Sequence, residues 1–144
     1  MSSSLPKLTD YLERVENEHL EVKEARALED PRNVPRAVCA FLNAKGGDVV
    51  IGIRDGGKSL DPIRDPKEAM RSLRDRLVAM ISPSIPSGLD IDILDSDHGA
   101  GLLVHVPIRP KGTLFALRSS EGRFSFPRRS GDRTLNLDWP DILR

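Results

Sequence analysis

The chain has 144 residues, 38% of them hydrophobic and 31% charged, enough for one core under a charged surface and unlike a disordered or fibrous chain. Lysine plus arginine and aspartate plus glutamate stand at 22 each, so the total charge names no partner. No apolar run nears the roughly 20 residues of a membrane helix, the start MSSSLPK lacks a secretory apolar core, and the single cysteine excludes a disulfide framework; the expectation is a cytoplasmic protein that does not enter a membrane.

In chain order, Thr9 is placed to cap a first helix running to about Asn17, with Leu12 and Val15 inward. His19 to Glu24 alternates as a strand, Leu20 and Val22 facing the core and Glu21 and Lys23 sharing the other face. Val34, Val38, Phe41 and Leu42 recur at helical spacing, so a second helix is expected over 34–43, stopped by Gly46-Gly47 before a buried strand from Asp48 to Ile53. Pro66 opens a third helix ending before Pro83, with Leu73 and Leu77 inward and Arg71, Arg74 and Arg76 outward. Leu89 to Leu94 and Gly101 to Ile108 read as an antiparallel hairpin, with further strands at Thr113 to Arg118 and Arg123 to Pro127. The tail from Leu135 to Leu143, holding Trp139 and Pro140, is read as a short last helix. Helices and strands mix without strict alternation. The expectation is a single α+β domain over 1–144, a mixed or antiparallel sheet carrying three to four helices.

Charge is unevenly distributed. Asp10 to Asp30 carries eight acids against three bases, whereas Arg109 to Arg133 carries seven bases against two acids. Bases gathered on one surface neutralise phosphates and release counterions, so Arg128, Arg129 and Arg133, beside the flexible Gly131, are candidate phosphate contacts. Lys23, on the strand face of Glu21, is a fourth candidate cation.

Gly52-Ile-Arg-Asp-Gly-Gly-Lys-Ser59 matches the phosphate-loop pattern letter for letter. That chemistry requires a helix to begin near the lysine, so that its amides and dipole hold the phosphates. Asp55 inside the loop would repel them, and Pro62 and Pro66 disfavour an immediate long helix; the loop is read as a turn, and no ATP site is expected. His19, His98 and His105 share no metal-ligand spacing, and Cys39 sits among apolar residues as a small core side chain.

Three segments together resemble the divergent Alba-like domain of the Schlafen family: Glu16-Asn-Glu-His-Leu-Glu-Val-Lys23, Ala40-Phe-Leu-Asn-Ala-Lys-Gly-Gly-Asp-Val-Val-Ile-Gly-Ile-Arg-Asp55 and Arg128-Arg-Ser-Gly-Asp-Arg-Thr134. Val22 stands where the family usually has an aromatic residue, and Phe126-Pro127 where it has an aromatic followed by isoleucine. The resemblance implies binding of RNA, including transfer RNA, or DNA. It also implies a metal-dependent endoribonuclease site with magnesium or manganese on an acidic trio, which falls here on Glu16, Glu21 and Asp55. Carboxylates are the hard oxygen ligands such ions take, and they could converge if the strands bearing Glu21 and Asp55 are neighbours. The plainer alternative makes Glu21 and Lys23 a surface pair and Asp55 a turn former, leaving a non-catalytic DNA-binding or protein-interaction module. Larger Schlafens build a groove from two such lobes, so a single lobe could form one as a homodimer.

Overall fold

The computed structural model describes residues 6–108 and 112–137. In its central sheet β1 (Leu20–Lys23), β2 (Gly47–Ile51), β7 (Gly101–Val106) and β6 (Asp90–Leu94) lie side by side in that order, β1 parallel to β2 and the other neighbours antiparallel. A parallel pair needs a crossover, and α1 (Asn33–Leu42) supplies it. Alternation along β2 and β7 (Gly101–Val106) then divides the interior. Val49, Ile51, Leu102 and Val104 face α1, while Val50 and Leu103 face the opposite layer beside Leu8 and Tyr11. Because α1 lies between the sheet and the strands β8 (Ala116–Arg118) and β10 (Pro127–Ser130), eight of its ten residues are buried, including Phe41 and Cys39. Burial pushes the Cys39 thiol up to about 12, as expected of an inert core side chain.

The helix α2 (Pro66–Met80) begins as its sequence foretells: Pro66 occupies the first turn and the Asp65 carboxylate accepts from the Glu68 amide at 3.2 Å. Leu73 and Leu77 enter the core, and Arg71 and Arg74 face water. Arg76, expected outside with them, instead donates to the Leu28 carbonyl at 2.6 Å and ties α2 to the 3₁₀ turn Ala25–Glu29. After β5 (Ile81–Ser82), β6 (Asp90–Leu94) pairs with β7 as the expected hairpin.

Three further expectations are corrected. The first helix is only a 3₁₀ turn at Leu8–Tyr11, closed by the Lys7 amide on the Asp10 carboxylate at 2.8 Å. Leu12 is already extended, and Glu13, at φ 62, gives its amide to the Gly57 carbonyl, so Val15 ends 80% exposed rather than inward. The described residues thus hold two α-helices, not three or four. The third correction concerns the chain's end, where Arg133 to Asn136 is strand β11, pairing with β10 around Gly131 and Asp132. The remainder of the expected last helix, with Trp139, lies outside the described residues.

The phosphate-loop pattern folds as a hairpin. Gly52 follows β2, then β3 (Ile53–Arg54) turns through Asp55, Gly56 and Gly57, all at positive φ, into β4 (Ser59–Leu60). The Lys58 amide donates back to the Arg54 carbonyl and Ser59 enters a strand, so no helix N-terminus stands at this lysine.

Candidate nucleic-acid interface

The hairpin of β10 and β11 decides which basic residues meet solvent. Strand residues alternate, so Pro127 and Arg129 point inward while Arg128 and Ser130 point outward. Opposite residues share a face: Arg128 pairs with Leu135 and Ser130 with Arg133. Arg128, Ser130, Arg133 and Leu135 therefore form one exposed outer face. Beside it, Lys45 and Arg128 line a cavity of about 500 Å³ with Glu18, which approaches Lys45 to 4.0 Å.

Arg129 is used differently from its neighbours, its side chain being 2% exposed. One terminal nitrogen donates to the Glu21 carboxylate; the other donates to the Asn17 and Leu20 carbonyls at 3.1 Å each; and Nε reaches Asn17 at 3.3 Å. The Phe41 ring lies beneath it, 5.1 Å to the centroid. A planar fork with five donors can serve such a set at once, which an ammonium cannot. Arg129 thereby bolts β10 to the start of β1.

Glu21 also meets Lys23 at 3.2 Å, and Glu16 lies 3.7 Å from Arg129. Burial works to raise the Glu21 carboxyl, but Lys23, a hydrogen bond with Glu16 and Arg129 outweigh it and hold Glu21 below its ordinary 4.5. Burial, then the hydrogen bond and charge of Glu21, push Glu16 the other way, from 4.5 to about 7. The two acids therefore divide the roles, one ionised and one readily protonated. Asp55 does not join them. It is a turn residue at φ 58, 64% exposed and 3.8 Å from Arg54, sharing with Glu16 only the rim of a cavity of about 430 Å³.

This arrangement does not fit a resident magnesium or manganese ion. Such a cation needs several free oxygen ligands, yet Glu21 is taken by Arg129 and Lys23. Among the described residues no three Asp, Glu, His or Cys side chains gather closely enough to hold an ion.

On the inner side of the hairpin a larger groove, about 810 Å³, opens between the edge of β1, the start of α1, the turn into β9 (Phe124–Ser125) and β11. Lys23 lines it, as do Arg32, Arg36, Arg123 and Phe124, four residues that the sequence reading did not single out. The signal was present in Arg123-Phe124, an aromatic residue set within the basic stretch.

No curated protein matches the sequence. The fold is similar to that of the N-terminal domain of a putative ATP-dependent DNA helicase RecG-related protein from Nitrosomonas europaea, at 23% identity and TM-score 0.58, covering 72% of this chain and 74% of that one. It is also similar to the DIP2311 protein from Corynebacterium diphtheriae, at 15% identity and TM-score 0.60, covering 84% of this chain but only 22% of that one. The Schlafen, AlbA_2 family model matches residues 16–137, a span that takes in the Glu16–Glu21–Arg129 clasp, the hairpin and both basic surfaces: the chain belongs to the Schlafen AlbA_2 family.

Proposed function

We propose that this domain binds nucleic acid through the outer face of the β10–β11 hairpin, with Arg128 and Arg133 on phosphates and without a resident metal. The observation that carries the reading is the alternation along β10, which uses Arg129 in the fold and leaves Arg128 exposed beside Lys45, on the same face as Arg133 of β11. Two guanidiniums on one rigid ribbon suit a phosphate backbone, because contacts of this kind position a protein without reading sequence. RNA and DNA should therefore both bind. Lys23 serves the clasp as a partner of Glu21 and also lines the inner groove.

The metal-dependent ribonuclease that the family resemblance implies would have to withdraw Glu21 from Arg129 and bring Asp55 in from its exposed turn. One experiment tests both readings. Fluorescent single-stranded RNA, transfer RNA and DNA are titrated with wild type and with Arg128→Ala/Arg133→Ala, and parallel samples are incubated with manganese or with chelator. The proposal expects binding that weakens in the double variant and RNA that stays intact in both samples. Manganese-dependent cleavage lost in Glu21→Gln and Asp55→Asn would replace it with the catalytic reading.

A further inference from the structure

The inner groove contains a feature that phosphate binding does not use. Phe124 is 55% exposed although it sits on a strand, β9, whose cross-strand neighbour is the exposed Arg118. It lines the groove of about 810 Å³ together with Arg32, Arg36 and Arg123. The rest of that wall holds small polar groups, among them Ser119, Ser125, Thr134 and Asn136, and the carboxylates of Glu21, Asp30 and Glu121. An aromatic ring held open among guanidiniums and hydroxyls is poor hydrophobic packing but suits a planar, polar-edged partner with phosphates on either side.

The pairing of the groove's charges decides which cations are left for phosphate. Of the four groove cations, Lys23 is already engaged by Glu21 and Arg123 stands 3.9 Å from Glu121. Arg36 spends one nitrogen on the Thr134 carbonyl at 3.5 Å, and Arg32 has no ion pair among the described residues.

We propose that the inner groove holds a single-stranded segment of nucleic acid, one base stacked on Phe124 and the adjoining phosphates on Arg32 and Arg36. This inference rests on the nucleic-acid reading above and deepens it, because only an unpaired base can present its face to the ring. Duplex, whose bases are stacked on each other, would meet the hairpin's outer face alone.

The test measures fluorescence anisotropy with a labelled single-stranded oligouridine, a labelled oligothymidine and a labelled duplex of equal length. Phe124→Ala should weaken binding of the single strands by about 5- to 150-fold, as expected for one lost base stack. Phe124→Trp should restore it, and Phe124→Leu should not. The duplex affinity, the melting temperature and the salt dependence should be unchanged, since no phosphate contact and no core side chain is removed. A Phe124→Ala protein within twofold of wild type on single strands, or a Phe124→Leu protein that binds like wild type, would overturn the stacking site while leaving the nucleic-acid reading intact. A Phe124→Ala loss equal on duplex and single strand would also overturn it. Wild-type protein that binds none of the three probes would overturn the nucleic-acid reading itself, and this site with it, in favour of a protein partner.

Discussion

Arg128 and Arg129 are neighbours of the same type in the sequence, and their fates differ because a strand sends successive side chains to opposite faces. Removing the buried member leaves the Glu21 carboxylate without its guanidinium partner and with Lys23 alone, and breaking a buried ion pair typically costs about 3–5 kcal/mol. Arg129→Met should therefore lower the melting temperature by on the order of 10 °C, and Arg129→Lys should recover only part of that. A loss below about 2 °C would mean that the clasp does not hold the hairpin. Glu16 and Glu21 should also shape stability against pH in opposite directions. Glu16 is raised from 4.5 to about 7, so the stability tied to its proton is full below pH 4.5 and is lost as pH rises through about 7. Glu21 is lowered, so its contribution is present above pH 4.5 and is lost as pH falls through its lower folded value. Urea midpoints should accordingly fall between pH 5 and pH 7 in wild type, and the fall should flatten in Glu16→Gln. The acids and the arginines were legible as a set in the sequence. Their use was not, because it depends on a contact between Glu21 and Arg129 that spans 108 residues.

At the scale of elements, the strands and helices with strong periodicity were readable, and those decided by single long-range bonds were not. Leu73 and Leu77 marked α2, and the alternation from Leu20 to Lys23 marked β1, because burial on one face leaves its period in the chain. The first helix failed because the Gly57 carbonyl captures the Glu13 amide, a competitor invisible at local range. The phosphate-loop pattern shows the converse, a local match without its structural context. Since Ser59 begins a strand, adding ATP with magnesium should leave the melting temperature unchanged, and Lys58→Ala should not alter that result. A stabilisation by ATP that disappears in Lys58→Ala would refute this reading of the loop. Asn43 is an element-scale residue that the sequence reading passed over. Buried at the end of α1, it donates to the Phe115 and Pro127 carbonyls at 2.7 and 2.9 Å and accepts from the Phe115 amide at 2.7 Å. With about 1 kcal/mol for each of three bonds, Asn43→Ala should cost about 3 kcal/mol, readable as a lower urea midpoint.

For the whole molecule, the balance of charge hides its arrangement. At zero formal net charge and a pI near 6.8, the chain offers phosphate little long-range attraction, so the proposed binding rests on cations gathered locally on one surface. The hairpin supplies them, braced from behind by Arg129 and flanked by Lys45, and the groove on its other side adds cations of its own. No described helix is long and apolar enough to cross a membrane. The measurement that bears most directly on this account is the dependence of log affinity on log salt for a single-stranded probe, in wild type and in Arg128→Ala/Arg133→Ala. A clear negative slope is expected in wild type, flattened by about 0.7 per lost contact in the double variant, with an unchanged melting temperature. An identical slope in the two proteins, at equal affinity, would contradict it.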